Sequence, residues 1–167
     1  MEDFIQLTVS STKTHINDFI RIIFMSGLKT GKSSKGKEMH YSVGALIKKD
    51  NKYLLIDRNV PPYGFACPAG HIDSDEATEK AIRREVNEET GLTVESLKLV
   101  TNGEVEDNKC SKGVEVHYWY IFDCKVSGEL KRNEREAKSI NWYSREEIKR
   151  LNLEPAWRYW FNKLRII

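Results

Sequence analysis

Two kinds of hydrophobic pattern divide this chain into predicted strands and helices. The β-rich runs at 41–48 and 52–58, separated by Lys49-Asp50-Asn51, predict a hairpin, and apolar residues at every second position over 114–126 predict another strand. Helical spacing returns over 73–90, and Pro155 begins a last helix that carries aromatic residues toward the core. This order of strands, helix, strands and terminal helices predicts an α/β fold with a mixed sheet between helices.

The strand predicted over 114–126 has two different faces. Positions 114, 116, 118, 120, 122, 124 and 126 share one face, which we expect to lie against the core. His117, Trp119 and Ile121 lie on the other face. We expect His117 to be a packing residue and not a metal ligand. Trp119 is expected either to pack between sheet and helix or to stack on a nucleobase.

Weaker signals complete the predicted organisation. One or two strands are expected over 92–106 and a short strand over 139–143, followed by a helix that Ser144 caps together with Glu147. Segments 27–38 and 59–69 are rich in glycine, lysine, serine or proline and are predicted to be loops. Residues 1–38 are predicted to pack, as a short strand, a helix and a lysine-rich loop, on a single domain formed by 39–167.

Composition narrows the classes of function. A chain of 167 residues can bury one core, and its net charge of +2 argues against a stable nucleic-acid complex. Cys67, Cys110 and Cys124 are scattered without metal-ligand spacing, which favours reduced thiols in a cytoplasmic protein. We expect no signal peptide after Met-Glu-Asp, no membrane partner, and either a monomer or a homodimer.

The segment 70–92 contains the strongest candidate chemistry. Asp73 with Glu76 predicts a capped helix start, and Gly91 predicts the helix stop. Three carboxylates fall on the side of this helix that its alanines and isoleucine predict to be buried: Glu85, Glu88 and Glu89. Like charges at this spacing repel each other, and anions at a helix C-terminus oppose the helix dipole.

A divalent cation would remove both costs. The opposite side of the helix already carries Lys80, Arg83 and Asn87, which argues that the glutamates are not simply its solvated face. Carboxylate oxygens without thiols or paired histidines favour Mg²⁺, with Mn²⁺ as an alternative. The helix is therefore predicted to be part of a metal site.

The same segment resembles the Nudix box, Gly-x5-Glu-x7-Arg-Glu-apolar-x-Glu-Glu-x-Gly-apolar. The matching residues are Gly70, Glu76, Arg84, Glu85, Val86, Glu88, Glu89, Gly91 and Leu92. A match at every fixed position is a strong signal. The resemblance implies a Nudix-type α/β/α sandwich with a mixed β-sheet between helices, and a small nucleotide as substrate.

The resemblance also implies catalytic and metal-binding roles. The expected metal ligands are the main-chain carbonyl of Ala69 and the side chains of Glu85, Glu88 and Glu89. Arg84 would hold Glu85 in place, and Glu76 would support the cluster. The base is either Glu85 or a loop glutamate ahead of Trp142: Glu136, or its neighbour Glu134.

Three residues are substrate-binding candidates by the same resemblance. Arg58 stands where many Nudix proteins have a basic residue at the cleft, although a surface arginine is an equally good interpretation. Phe65 replaces the tryptophan that usually precedes the box, and Trp119 is the candidate for base stacking. The first glycine of the usual Pro-Gly-Gly is replaced by Ala69, which keeps the carbonyl.

The implied reaction is Mg²⁺-dependent hydrolysis of a diphosphate bond in a nucleoside diphosphate linked to another group. The alternatives are a non-catalytic nucleotide sensor of the same fold and an RNA-end pyrophosphohydrolase. Positions 106–110 lack the proline typical of ADP-ribose enzymes and the tyrosine typical of diadenosine polyphosphate enzymes. The sequence therefore leaves the nucleotide open.

Overall fold

The computed structural model describes residues 27–167. The strand and helix predicted within the first 26 residues lie outside this range. The described residues form eight strands and three helices. Among them, no helix is both long and apolar enough to cross a bilayer.

The eight strands belong to one mixed sheet. Their bounds are β1 Thr30–Lys32, β2 Glu38–Lys49, β3 Lys52–Arg58, β4 Gly64–Ala66, β5 Ala69–His71, β6 Thr93–Val105, β7 Val116–Ser127 and β8 Ala137–Tyr143. The main path runs β4-β3-β2-β7-β6, with β1 and β5 paired to β2 and β8 paired to β3. Only the β2–β7 pairing is parallel, so the sheet is mixed as predicted.

Helices cover both faces of this sheet. Helix α1 is Thr78–Thr90, α2 is Arg145–Ile148 and α3 is Pro155–Lys163. Ala81, Ile82 and Val86 of α1 belong to one hydrophobic core. Trp157 and Trp160 of α3 belong to a second core on the other side. The α/β/α sandwich predicted from the sequence is confirmed.

The predicted start of α1 is wrong, whereas its end is right. The N-cap is Ala77, without a side-chain hydrogen bond, and the C-cap is Gly91 with φ of 71°. Asp73 lies in a turn before the helix and donates its N–H to the Glu76 carboxylate at 3.3 Å. The chain around Asp73 instead bonds to 27–29, because the Ser74 N–H donates to the Gly27 carbonyl at 2.7 Å.

Both predicted loops contain short strands. Within 27–38, β1 pairs with the beginning of β2. Within 59–69, β4 pairs with β3, and β5 begins at Ala69 and pairs with the middle of β2. Strands β1 and β4 each pair with a neighbouring strand across a short loop, and β5 pairs with β2, so their glycine-, proline- and lysine-rich composition did not reveal them.

The prediction of a single core-facing side on the strand at 114–126 is also wrong. Phe122 and Cys124 pack in the core beneath α1, as expected. Trp119 and Ile121, on the opposite face, are equally buried in the core beneath α3. β7 is a central strand with helices on both sides, so both of its faces are apolar over this stretch.

Candidate functional site

Helix α1 holds its glutamates against strand β5. Glu89 is buried and accepts a hydrogen bond from the Ala69 N–H at 2.9 Å. Glu85 is half-buried, whereas Glu88 is exposed. The predicted metal ligands are therefore neighbours in space, although the role of the Ala69 carbonyl stays a prediction.

Arg84 connects the acidic residues of the box. Its Nη1 lies 2.6 Å from Glu85 and 3.3 Å from Glu88, and its Nε and Nη2 bind both oxygens of Glu76 at 3.0 and 2.8 Å. Nη2 also donates to the His71 carbonyl at 3.0 Å. These bonds to Arg84 lower the pKa of Glu76. The guanidinium thus fixes Glu85 relative to strand β5, as the sequence predicted.

The charged forms of two glutamates, Glu85 and Glu89, are disfavoured by burial. Burial raises the pKa of Glu85 to about 7, against the opposing effect of Arg84. Burial likewise raises the pKa of Glu89 to about 8, although Arg58 lies 3.7 Å away and favours its charged form. Glu85 also raises the pKa of Glu89. Buried carboxylates that repel each other fit a hard divalent cation, which prefers oxygen ligands.

Gly70 leaves room for Glu85. A methyl group on Gly70 would lie 2.0 Å from the Glu85 carboxyl carbon and 2.1 and 2.2 Å from its oxygens. Real side-chain atoms do not approach so closely. The glycine of the box is therefore required by the position of this carboxylate.

The structure distinguishes the two loop glutamates. Glu136 is near enough to raise the pKa of both Glu85 and Glu89 by charge repulsion. Both loop glutamates are exposed, and Glu134 forms an ion pair with Arg132 at 3.1 Å. Of the two, Glu136 is the carboxylate whose charge acts on the box glutamates.

A cavity adjoins the carboxylate cluster. Its walls include Arg58 and Gly70, which contact Glu89 and Glu85, and also Trp119. Five buried side-chain atoms in its wall have no hydrogen-bond partner among the described residues. They are Asn108 Oδ1, His117 Nδ1, Trp119 Nε1, Glu154 Oε1 and Trp157 Nε1. The residues that line the cavity thus carry both donors and acceptors without a partner among the described residues.

Phe65 is not among the residues that line the cavity. Its ring packs edge-to-face against Tyr143, with ring centroids 5.5 Å apart. The cavity wall is formed by the next residue, Ala66. The structure thus brings together Arg58 and Trp119 of the three predicted substrate-binding residues.

Several cavity residues are not candidate site residues in the sequence, among them Asn108, Glu154 and Trp157. The pattern after Pro155 places the aromatic residues of the last helix in the core alone. Glu154 is the N-cap of α3, and its carboxylate accepts the Trp157 N–H at 2.9 Å. Burial raises the pKa of Glu154. An acidic residue directly before Pro155 was an available signal for the cap, but nothing local indicated a cavity.

The family comparison agrees with the box and the fold. The family model of the NUDIX domain matches residues 38–164. This chain belongs to the Nudix family. Members of this family generally use a divalent metal and act on small nucleotides.

Two characterised relatives differ in the substrate that their names give. An ADP-ribose pyrophosphatase of Methanocaldococcus jannaschii is 32% identical over 66% of this chain and 64% of that protein. The nucleoside triphosphatase NudI of Escherichia coli is 33% identical over 68% of this chain and 87% of that protein. This chain thus spans less than two thirds of the length of the first relative.

A solved structure agrees with the same fold. The MutT protein of Methanosarcina mazei superposes with a TM-score of 0.63 at 26% identity, over 76% of this chain and 93% of that chain. The Nudix hydrolase fold identified from the box is therefore confirmed at the level of tertiary structure.

Proposed function

We propose that this Nudix hydrolase cleaves a diphosphate bond of a small nucleotide in a Mg²⁺-dependent reaction. The observation that carries the proposal is the contact between two parts of one site. A cluster of carboxylates suited to a metal adjoins a cavity lined by residues whose buried side chains include unpartnered donors and acceptors. Phosphates would lie at the cluster, and the nucleobase would enter the cavity.

Residues of the box and of strand β5 would hold the metal ion. Glu85, Glu88, Glu89 and the Ala69 carbonyl would hold Mg²⁺, which when bound neutralises phosphoryl oxygens and acidifies coordinated water. Arg84 would keep Glu85 oriented, since it binds Glu85, Glu76 and the His71 carbonyl.

Glu136 would act as the general base. It would take one proton from the attacking water as the oxygen bonds to phosphorus, and the bridging P–O bond would break. The products would be a nucleotide and a phosphorylated group. Glu136 is the best-placed loop carboxylate because it repels both Glu85 and Glu89 electrostatically.

Arg58 and Trp119 would bind the substrate. The Arg58 guanidinium lies beside Glu89 and donates from Nε to the Pro62 carbonyl at 3.0 Å, which holds it at the cavity wall. A guanidinium there would balance the charge of a phosphate. Trp119 and Asn108 would contact the base through stacking and hydrogen bonds.

The test is product release with Mg²⁺ from nucleoside triphosphates, dinucleotides, nucleotide sugars and ADP-ribose, with inorganic tripolyphosphate as a substrate without a base. We expect one nucleotide class to be preferred over tripolyphosphate. Glu89→Gln should lower kcat/KM by at least about 100-fold. Asn108→Ala should raise KM with little change in kcat, because it would remove a contact made equally in the ground state and the transition state.

Two outcomes would overturn the proposal. Full activity of Glu89→Gln would exclude the metal cluster as the catalytic site. Nucleotides that raise the melting temperature without being hydrolysed at all would support a nucleotide sensor instead.

A further inference from the structure

Four potential metal ligands meet at the cavity, and three of them, His71, Cys110 and His117, line it. The four are His40 on β2, His71 on β5, Cys110 in the loop before β7, and His117 on β7. One ligand atom from each residue lies within 4.8 Å of all the others. Three of the four residues are buried, and His71 is half-buried. The sequence predicted His117 to be a packing residue, but its neighbours are three further potential ligands, two histidines and a cysteine.

The spacing of the atoms matches a tetrahedral zinc site. Nε2 of His71 and Nε2 of His117 are 3.4 Å apart, and Cys110 Sγ is 3.7 Å from His40 Nδ1. Zinc binds imidazole nitrogen at about 2.0–2.1 Å and thiolate sulfur at about 2.3 Å in tetrahedral geometry. These bond lengths require ligand atoms separated by about 3.3–3.6 Å. The two measured separations are close to this range.

The ligand types also suit a metal. Each imidazole offers a ring nitrogen and Cys110 offers its sulfur, and one such atom from each residue lies within 4.8 Å of the others. Imidazole and thiolate together favour zinc over the hard cations that carboxylates prefer.

We propose that His40, His71, Cys110 and His117 bind one zinc ion in a closed structural site. Four protein ligands complete a tetrahedron, so no position is left for a reacting water. Binding would convert the Cys110 thiol to a thiolate and release its proton to solvent. None of the ligands of this site is a box glutamate, but His71, Cys110 and His117 also line the cavity proposed for the nucleobase.

The site would fix the loop that contributes to the cavity. Cys110 is the one proposed ligand outside the sheet strands, and it lies two residues after Asn108. His71 follows Gly70, and its carbonyl binds Arg84. A zinc ion would therefore attach the loop at 107–113 to β2, β5 and β7, and would hold Asn108 against the substrate cavity.

The first test uses untagged full-length protein, stripped of metal and titrated with Co²⁺ and then Zn²⁺. We expect one equivalent of Co²⁺ to give the strong visible absorption of a tetrahedral site and a sulfur-to-cobalt charge-transfer band. One equivalent of Zn²⁺ should remove both features and raise the melting temperature. A wild-type protein without the sulfur-to-cobalt band would overturn the proposal.

Matched variants locate the site. Cys110→Ser and His117→Gln should weaken Zn²⁺ binding by more than the roughly 10- to 100-fold that loss of an outer-shell partner costs. The controls are Cys124→Ser, a buried cysteine on β7 whose pKa burial raises to about 12, and His15→Gln, which changes the remaining histidine. Both controls should bind Zn²⁺ as the wild type does.

One further variant separates this site from the box. Glu89→Gln should keep the sulfur-to-cobalt band and the tight equivalent of Zn²⁺. Loss of the band in Glu89→Gln or Cys124→Ser, or its retention in Cys110→Ser, would overturn the assignment. If Cys110→Ser fails to fold, the wild-type cobalt spectrum decides the question by itself.

Discussion

The position of the Glu85 carboxylate is set by two residues that lie very close to it, Gly70 and Arg84. Gly70 lies against the Glu85 carboxyl. Each of the three side-chain nitrogens of Arg84 donates a hydrogen bond: Nε to Glu76, Nη1 to Glu85 and Nη2 to the His71 carbonyl. The hydrogen bonds of Arg84 hold Glu85 from one side, and the missing side chain of residue 70 leaves space on the other. The position of Glu85 therefore depends on a residue that has no functional group.

Gly70→Ala should displace Glu85 and lower kcat by about 100-fold, the typical cost of a displacement of about 1 Å in a catalytic group. The reason is the 2.0 Å separation between the added methyl group and the Glu85 carboxyl carbon. Steady-state kinetics measures the effect. Gly27→Ala is the control, because a methyl group there meets nothing within 4 Å. Equal activity of the two variants would contradict this explanation.

The loop glutamates provide a second comparison between neighbouring residues. Glu136→Gln should lower kcat by about 100-fold or more, as expected for loss of a general base. Glu134→Gln should change kcat by less than about twofold, because an exposed ion pair with Arg132 contributes little. The pH–rate profile of each variant should be recorded too. Indistinguishable kinetics of the two variants would assign the base to Glu85 instead.

At the scale of elements, strand β4 is attached to the turn before α3. The Phe65 N–H donates to the Asn152 carbonyl at 2.8 Å, and the Glu154 N–H donates to the Phe65 carbonyl at 3.0 Å. This contact places Glu154 and α3 against the cavity. It also requires Gly64, whose φ is 121° and whose added methyl group would lie 2.7 Å from the Asn152 carbonyl oxygen.

Gly64→Ala should therefore lower the free energy of unfolding by about 3 kcal/mol, through backbone strain together with steric overlap. Gly36→Ala is the matched control. Its φ of 77° carries a similar backbone cost, but a methyl group there meets nothing within 4 Å. We expect this control to lose about 1 kcal/mol. Urea unfolding measures both values, and equal losses would show that the overlap at Gly64 relaxes without cost.

At the scale of the whole molecule, the sandwich buries charge between its layers. Burial raises the pKa of Glu85 to about 7 and of Glu89 to about 8, from an ordinary value of 4.5. Raised carboxylate pKa values mean that the folded state binds more protons than the unfolded state. Their contribution to stability is complete below pH 4.5 and is lost as pH rises through 7 and 8.

The free energy of unfolding of the metal-free wild type should therefore fall between about pH 5 and pH 8.5, and Glu89→Gln should make this fall smaller. Its free energy of unfolding should exceed that of the wild type by on the order of 2 kcal/mol at pH 8.5, and should be similar at pH 5. Denaturant unfolding in chelator measures both. Mg²⁺ at pH 8.5 should restore the wild type more than the variant.

The control is Glu79→Gln on the same helix. Its hydrogen bond to Thr78 lowers the pKa of Glu79, so the raised-pKa argument does not apply to it. Parallel pH profiles for wild type and Glu89→Gln would show that Glu89 carries its charge without cost in the folded protein.

The sequence by itself determined the features that depend on local spacing. The hairpin of β2 and β3, the stop of α1 at Gly91, the cap at Ser144 and the last helix from Pro155 all appear as predicted. Each follows from neighbouring residues whose side chains or turn preferences act within a few positions. The sequence also predicted that Glu85, Glu88 and Glu89 share one side of the helix, because their spacing follows the helix period.

Only the tertiary structure decided features whose partners are distant along the chain. Strand β5 exists through hydrogen bonds to the middle of β2, and the start of α1 moved because Asp73 lies in a turn that bonds to Gly27. The cavity and the cluster around His117 likewise combine separate strands and loops. No local pattern encodes such neighbours, since the fold brings them together only when both cores pack.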